Sequence, residues 1–112
     1  MRQLKRYECA ILPLVLKKKW YDLIDRGEKK EEYRDAKPFW DKRITKWLSC
    51  QEGLFGISNK YLVIGFSRGY RKPDMFFMAR HCEKREVSIM PAWGEPQGEH
   101  FVLGLGDRVA LE

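Results

Sequence analysis

Gly27-Glu28-Lys29-Lys30-Glu31-Glu32-Tyr33-Arg34 is the stretch on which the reading of this chain turns. It follows an amphipathic helical pattern and runs into a short strand pattern. A glycine, a lysine, a glutamate and an arginine fall at Gly-x-Lys-x-x-Glu-x-Arg spacing within it. In an extended chain, side chains two apart share a face, so Glu32 and Arg34 are expected on one side and Tyr33 on the other. Lys29 then sits in the turn leading onto that face. Taken alone, these residues have a plain structural reading. Gly27 caps a helix, Lys29 and Lys30 are solvated, and Glu32 pairs with Arg34 for little energy if exposed.

Upstream, Leu16, Trp20, Leu23 and Ile24 recur at i, i+4, i+7 and i+8, which predicts a helix from Leu16 to Arg26. Gly27 stands where that pattern stops. Before it, residues 7–12 read as a first strand ending at Pro13. Downstream, Ala36-Lys37-Pro38 opens a second helix, with Pro38 in the first turn where its missing N–H does no harm. Trp40, Ile44, Trp47 and Leu48 form its apolar stripe, so the tryptophans read as core rather than as a stacking platform. Lys42, Arg43 and Lys46 lie off the stripe and read as a solvated face. Residues 49–60 read as a loop, with Leu54, Phe55 and Ile57 packing down.

The remainder is strand-like. Tyr61–Ser67 is apolar on both faces and so central; Met75–Glu83 completes an antiparallel hairpin with it. The turn between them, residues 68–74, carries Arg68, Arg71 and Lys72 with Tyr70. A second loop is expected over residues 84–100, with a short strand piece over 87–90 and Trp93 as a lid or a packed anchor. Phe101–Leu105 is a strand, Gly106-Asp107 a turn or bulge, and Val109–Leu111 extends the ladder. Two early helices followed by hairpin-linked strands give an α+β domain with a curved sheet or small barrel.

The 112 residues suit one domain able to bury a core without staples, and 44% hydrophobic content excludes a disordered chain. No run approaches the ~18 apolar residues of a membrane span, and Lys5, Arg6 and Glu8 interrupt any signal-peptide core. A cytoplasmic location is the resulting expectation. Cys9, Cys50 and Cys82 form no paired spacing and read as free thiols. His81-Cys82 with Cys9, Cys50 or His100 matches no zinc spacing, so neither metal nor cofactor is expected. Phosphate-binding and dinucleotide glycine signatures are absent. A net charge of +6 favours an anionic partner.

The run Ile11-Leu12-Pro13-Leu14, followed by Trp20-Tyr21-Asp22-Leu23-Ile24 and the Gly27, Lys29, Glu32, Arg34 motif, resembles the ASCH domain of the PUA-like superfamily. The later Arg68-Gly69-Tyr70-Arg71 and Leu103-Gly104-Leu105-Gly106-Asp107 runs look similar too, so the resemblance covers nearly all of residues 1–112. It implies a small β-barrel of about five or six mostly antiparallel strands flanked by two helices. It also implies a motif-lined cleft that binds RNA, single-stranded by preference, or a nucleotide-like ligand. On that reading Lys29, Glu32 and Arg34, joined by Tyr70 and Arg71, contact the ligand.

Some members of that family are amidohydrolases on acylated cytidine nucleosides, and others are linked to ribonuclease activity. The alternative function is therefore a small hydrolase using Lys29 and Glu32. In the amidohydrolase branch a threonine occupies the position of Glu32, which tilts the expectation towards binding.

Overall fold

The computed structural model describes residues 1–52, 59–87 and 98–112. Six strands and two helices follow one another along it. They are β1 (Arg2–Leu4), β2 (Cys9–Leu16), α1 (Lys18–Asp25), β3 (Glu31–Asp35), α2 (Pro38–Glu52), β4 (Tyr61–Arg68), β5 (Met75–Val87) and β6 (Gly98–Leu111), with a 3-10 turn over Arg6–Glu8.

All six strands belong to one mostly antiparallel sheet, in the order β1-β6-β5-β4-β2, with β3 also paired to β6. The free edge of β6 is shared in succession: Phe101 to Gly104 run opposite Arg34 to Glu31, and Val109 to Leu111 opposite Arg2 to Leu4. β4 is buried on both faces from Leu62 to Ser67, as its unbroken apolar run predicts. β2 lies parallel to it, reached by way of α1, β3 and α2.

The expected closed barrel does not form. Among the described residues β2 pairs with β4 alone, and β3 with β6 alone. Side chains occupy the gap instead. The indole of Trp47 donates to the carbonyl of Ala10 at 2.8 Å, and Arg34 Nη2 to that of Val15 at 3.2 Å. Pro13, inside β2, offers no N–H at all. A strand with such an edge meets its neighbour through side chains, and the space between becomes a cleft.

The main core lies on the helix side. Leu12, Leu14 and Leu16 of β2, Ile64 and Phe66 of β4, and Leu103 of β6 pack there against Ile24 of α1 with Ile44 and Trp47 of α2. A smaller cluster of Leu4, Cys9, Val63, Phe76 and Val109 covers the other face.

Several element boundaries differ from the expectation. Tyr7 and Glu8 lie in the 3-10 turn, and β2 continues through Pro13 to Leu16. An edge strand tolerates proline, since a missing donor there breaks no interior ladder. Leu16 therefore ends a strand rather than opening α1, although it packs in the same core as Ile24. α2 runs on to Glu52, beyond the expected loop start. β5 and β6 extend through residues 84–87 and 98–100, where the sequence predicts a loop. Their polar sequence reflects an arm of the hairpin beyond the core, where Glu83 and Arg85 pair at 3.0 Å. The packing expected for Leu54, Phe55 and Ile57, the strand piece from Ser88 to Met90, and the role of Trp93 lie outside the described residues.

The irregularity expected at Gly106-Asp107 is present. Phe77 faces Arg108 and Ala79 faces Leu105, so β6 holds an extra residue there, and β5 recovers the register beside Arg80. No described helix is long and apolar enough to cross a membrane.

Candidate ligand cleft

Gly27 sets the geometry of the motif. Its φ of +77° is left-handed, and the N–H groups of Glu28 and Lys29 both return to the carbonyl of Leu23, at 2.9 and 3.1 Å. Such a glycine cap stops α1 and turns the chain sharply towards β3. Lys29 is thereby driven inward. It is only 2% exposed, with Nζ 2.5 Å from the carbonyl oxygen of Glu31, 3.4 Å from Glu32 Oε2 and 4.9 Å from the centre of the Tyr33 ring. Burial pulls its pKa below the ordinary lysine value, against the pull of Glu32 towards the charged form; Arg34 reinforces the lowering.

Glu32 is buried as well and stands between two cations. Its Oε1 lies 3.2 Å from Arg34 Nη1 and accepts the N–H of Tyr33 at 2.8 Å. Its Oε2 faces Lys29 and has no hydrogen bond of its own. Pairing of Glu32 with Leu103 and of Arg34 with Phe101 puts both motif side chains on the main-core face. Tyr33, paired with Val102, is buried on the opposite face, as the strand period requires.

Arg34 is the residue that reaches the cleft. Besides Glu32 it contacts the carbonyls of Tyr33 and Val15, at 2.7 and 3.2 Å, and its guanidinium lies 5.2 Å from the Trp40 ring. The cleft it enters has a volume of about 820 Å³ and lies between β2 and β3. Pro13 and Val15 form one wall, and Glu32, Arg34 and His100 the other. The rim carries Trp40, Phe39 and Tyr70 with Lys17 and Arg43. His100 is held by Asp35 Oδ1 at 2.9 Å on Nε2 and by the Gly98 carbonyl at 3.1 Å on Nδ1.

Compared with protein-family models, with curated proteins and with solved structures, the chain matches none.

Of the residues singled out in the sequence, Glu32, Arg34 and Tyr70 come together on this cleft. Lys29 does not line it. It lies behind Glu32 and borders a smaller cavity of about 370 Å³ with Lys30, Phe77, Arg80 and Asp107. Arg71 is exposed on the same turn as Tyr70 and is not part of the lining. Sequence reading missed Phe39, Arg43, Lys17 and His100. Phe39 carried a usable signal: it is an aromatic just off the apolar stripe of α2, and it is 58% exposed. Arg43, one turn on, stacks its guanidinium 4.4 Å from that ring. Nothing local marks His100 or Lys17, because pairing of distant strands brings them in.

Among the described residues no group of three or more metal-ligating side chains occurs. No disulfide is present, and burial pushes the Cys9 and Cys82 thiols up, away from the reactive thiolate. What the cleft can do is hold a flat, anionic or hydrogen-bonding ligand: among the described residues five aromatic side chains and three cations line it, and its two carboxylates, Glu32 and Asp35, are already paired with Arg34 and Lys37.

Proposed function

We propose that the protein is an ASCH-like, PUA-like domain that binds single-stranded RNA or a nucleotide-like ligand in the cleft between β2 and β3. The observation that carries this reading is the rim of that cleft. Exposed Tyr70 and Phe39 and half-buried Trp40 offer faces for bases, and Arg34, Arg43 and Lys17 offer charge for phosphate. Single-stranded nucleic acid is held by this combination, with base stacking worth about 1–3 kcal/mol per base. The six strands are then a small barrel opened along the β2–β3 seam, with Arg34 bridging the gap.

The hydrolytic alternative has less support. It needs Lys29 as nucleophile or base, yet Nζ is buried behind Glu32 and engaged by the Glu31 carbonyl. Lys29 and Glu32 read better as the support that holds Arg34 in place.

Labelled short single-stranded RNAs and free nucleotides, titrated by fluorescence anisotropy and calorimetry, test the proposal. Arg43→Ala and Tyr70→Ala, both exposed and outside the buried ion cluster, are expected to weaken binding about tenfold each with unchanged circular dichroism. No binding by the parent protein, or equal affinity in both variants, would overturn it.

A further inference from the structure

A second basin of about 650 Å³ adjoins the cleft, sharing Pro13, Phe39 and Arg43 with it. Its floor is the chain from Ala10 to Pro13 with the Trp47 ring, and Lys42, Lys46 and Lys60 stand around it. No acidic side chain among the described residues lines it. Among the described residues none of these three lysines, nor Arg43, is in an ion pair, although ion pairs are frequent elsewhere on the surface. Cations gathered along one basin without carboxylates among them raise the local positive potential, which draws in a polyanion.

Resting on the nucleotide-binding proposal, we infer that the two basins are one track for a single-stranded polynucleotide, and that Lys42, Lys46 and Lys60 hold the phosphates leaving the cleft. Phe39 stands at the junction with the Arg43 guanidinium against its ring, where a base can stack. From Phe39 to Cys50, α2 advances about 16 Å, room for about four or five stacked nucleotides at ~3.4 Å each. Addition of a peptide strand to β2 fits less well. Trp47 already occupies the Ala10 carbonyl, and Pro13 has no N–H to donate.

The experiment uses the whole chain, with single-stranded RNAs from a dinucleotide to a length exceeding the track, and with polyglutamate as an acidic polypeptide. The parent is expected to bind the long oligomer more tightly than the dinucleotide, with a salt slope of roughly −0.7 per phosphate neutralised. The triple variant Lys42→Glu, Lys46→Glu, Lys60→Glu should lose about 10- to 100-fold for the long oligomer and flatten the salt slope. Its dinucleotide affinity should stay close to that of the parent. The same three positions changed to Gln should give a smaller loss in the same direction, which guards against misfolding of the charge-reversed chain. Dinucleotide binding with no gain on lengthening, or with no loss in either triple variant, overturns the track while leaving the nucleotide cleft standing. Absence of all RNA binding by the parent overturns both. Polyglutamate bound as tightly as the long oligomer would make the basin a general anion surface and overturn the assignment to nucleic acid.

Discussion

Lys29 is the residue whose position departs furthest from its type, since lysine is almost never fully buried unless paired. It is enclosed by the Glu31 carbonyl, the Glu32 carboxylate and the Tyr33 ring. Lys29→Ala would leave Glu32 Oε2 facing no charge inside the protein, and it is expected to cost on the order of 3 kcal/mol in urea unfolding. Lys29→Met combined with Glu32→Gln should recover part of that loss. The pH dependence follows from the lowered pKa. The unfolded chain keeps the Lys29 proton up to the ordinary value of 10.5, whereas the folded chain releases it lower. Between those two points the unfolded state binds more protons, so stability rises with pH through that window. Unfolding at a series of alkaline pH values should show this rise in the parent, and the Lys29→Met variant should lack it. The spacing of Gly27, Lys29, Glu32 and Arg34 made the shared face of Glu32 and Arg34 legible in advance. It could not reveal that Lys29 points inward, because that depends on the left-handed turn at Gly27 and on β3 docking against β6.

At the scale of elements, β4 shows how tightly the layers meet. It lies between β2 and β5, with Gly65 opposite both Pro13 and Phe76. A Cβ at Gly65 would stand 2.9 Å from Pro73 Cβ, 3.0 Å from Phe76 Cε1 and 3.1 Å from Ile11 Cγ2. Ile11 and Phe76 sit on paired strands and Pro73 in the short turn before β5, so all three cannot withdraw together, and Gly65→Ala is expected to cost about 1–3 kcal/mol. Calorimetric melting checks this, and an unchanged midpoint would mean that the Ile11 and Phe76 layer yields. Hydrophobic period exposed both helices, β4 and its hairpin, because each buries a regular stripe against one core. β1 was not legible. Arg2, Gln3 and Leu4 carry one buried residue, and they are held by parallel pairing with residues 109–111 at the far end of the chain. The long ends of β5 and β6 escaped for a related reason: they pair mainly with each other, beyond the core, and need no apolar alternation.

For the whole molecule, β6 is the shared member. It pairs with β1, β3 and β5, while α1 and α2 pack from the other end of the sheet onto β2 and β4. Amides of β6 that lie between two neighbouring strands, such as those near Leu103 and Val109, should exchange with solvent only on global unfolding. The β2 edge, guarded by side chains, should open at lower free energy, and native-state hydrogen exchange across a urea series would separate the two. The reverse order would place the weak point elsewhere than the seam. That seam has a consequence for solubility as well as for binding. An eight-residue edge strand with apolar side chains is a template on which another copy of the chain could build cross-strand pairing. Here the Trp47 indole, the Arg34 guanidinium, the proline and a fence of lysines stand along it. Like charges on two approaching copies would repel before their backbones could meet. The groups proposed to welcome a polyanion are thus the same ones that keep the protein from joining edge to edge with itself, and evolution of either property is tied to the other.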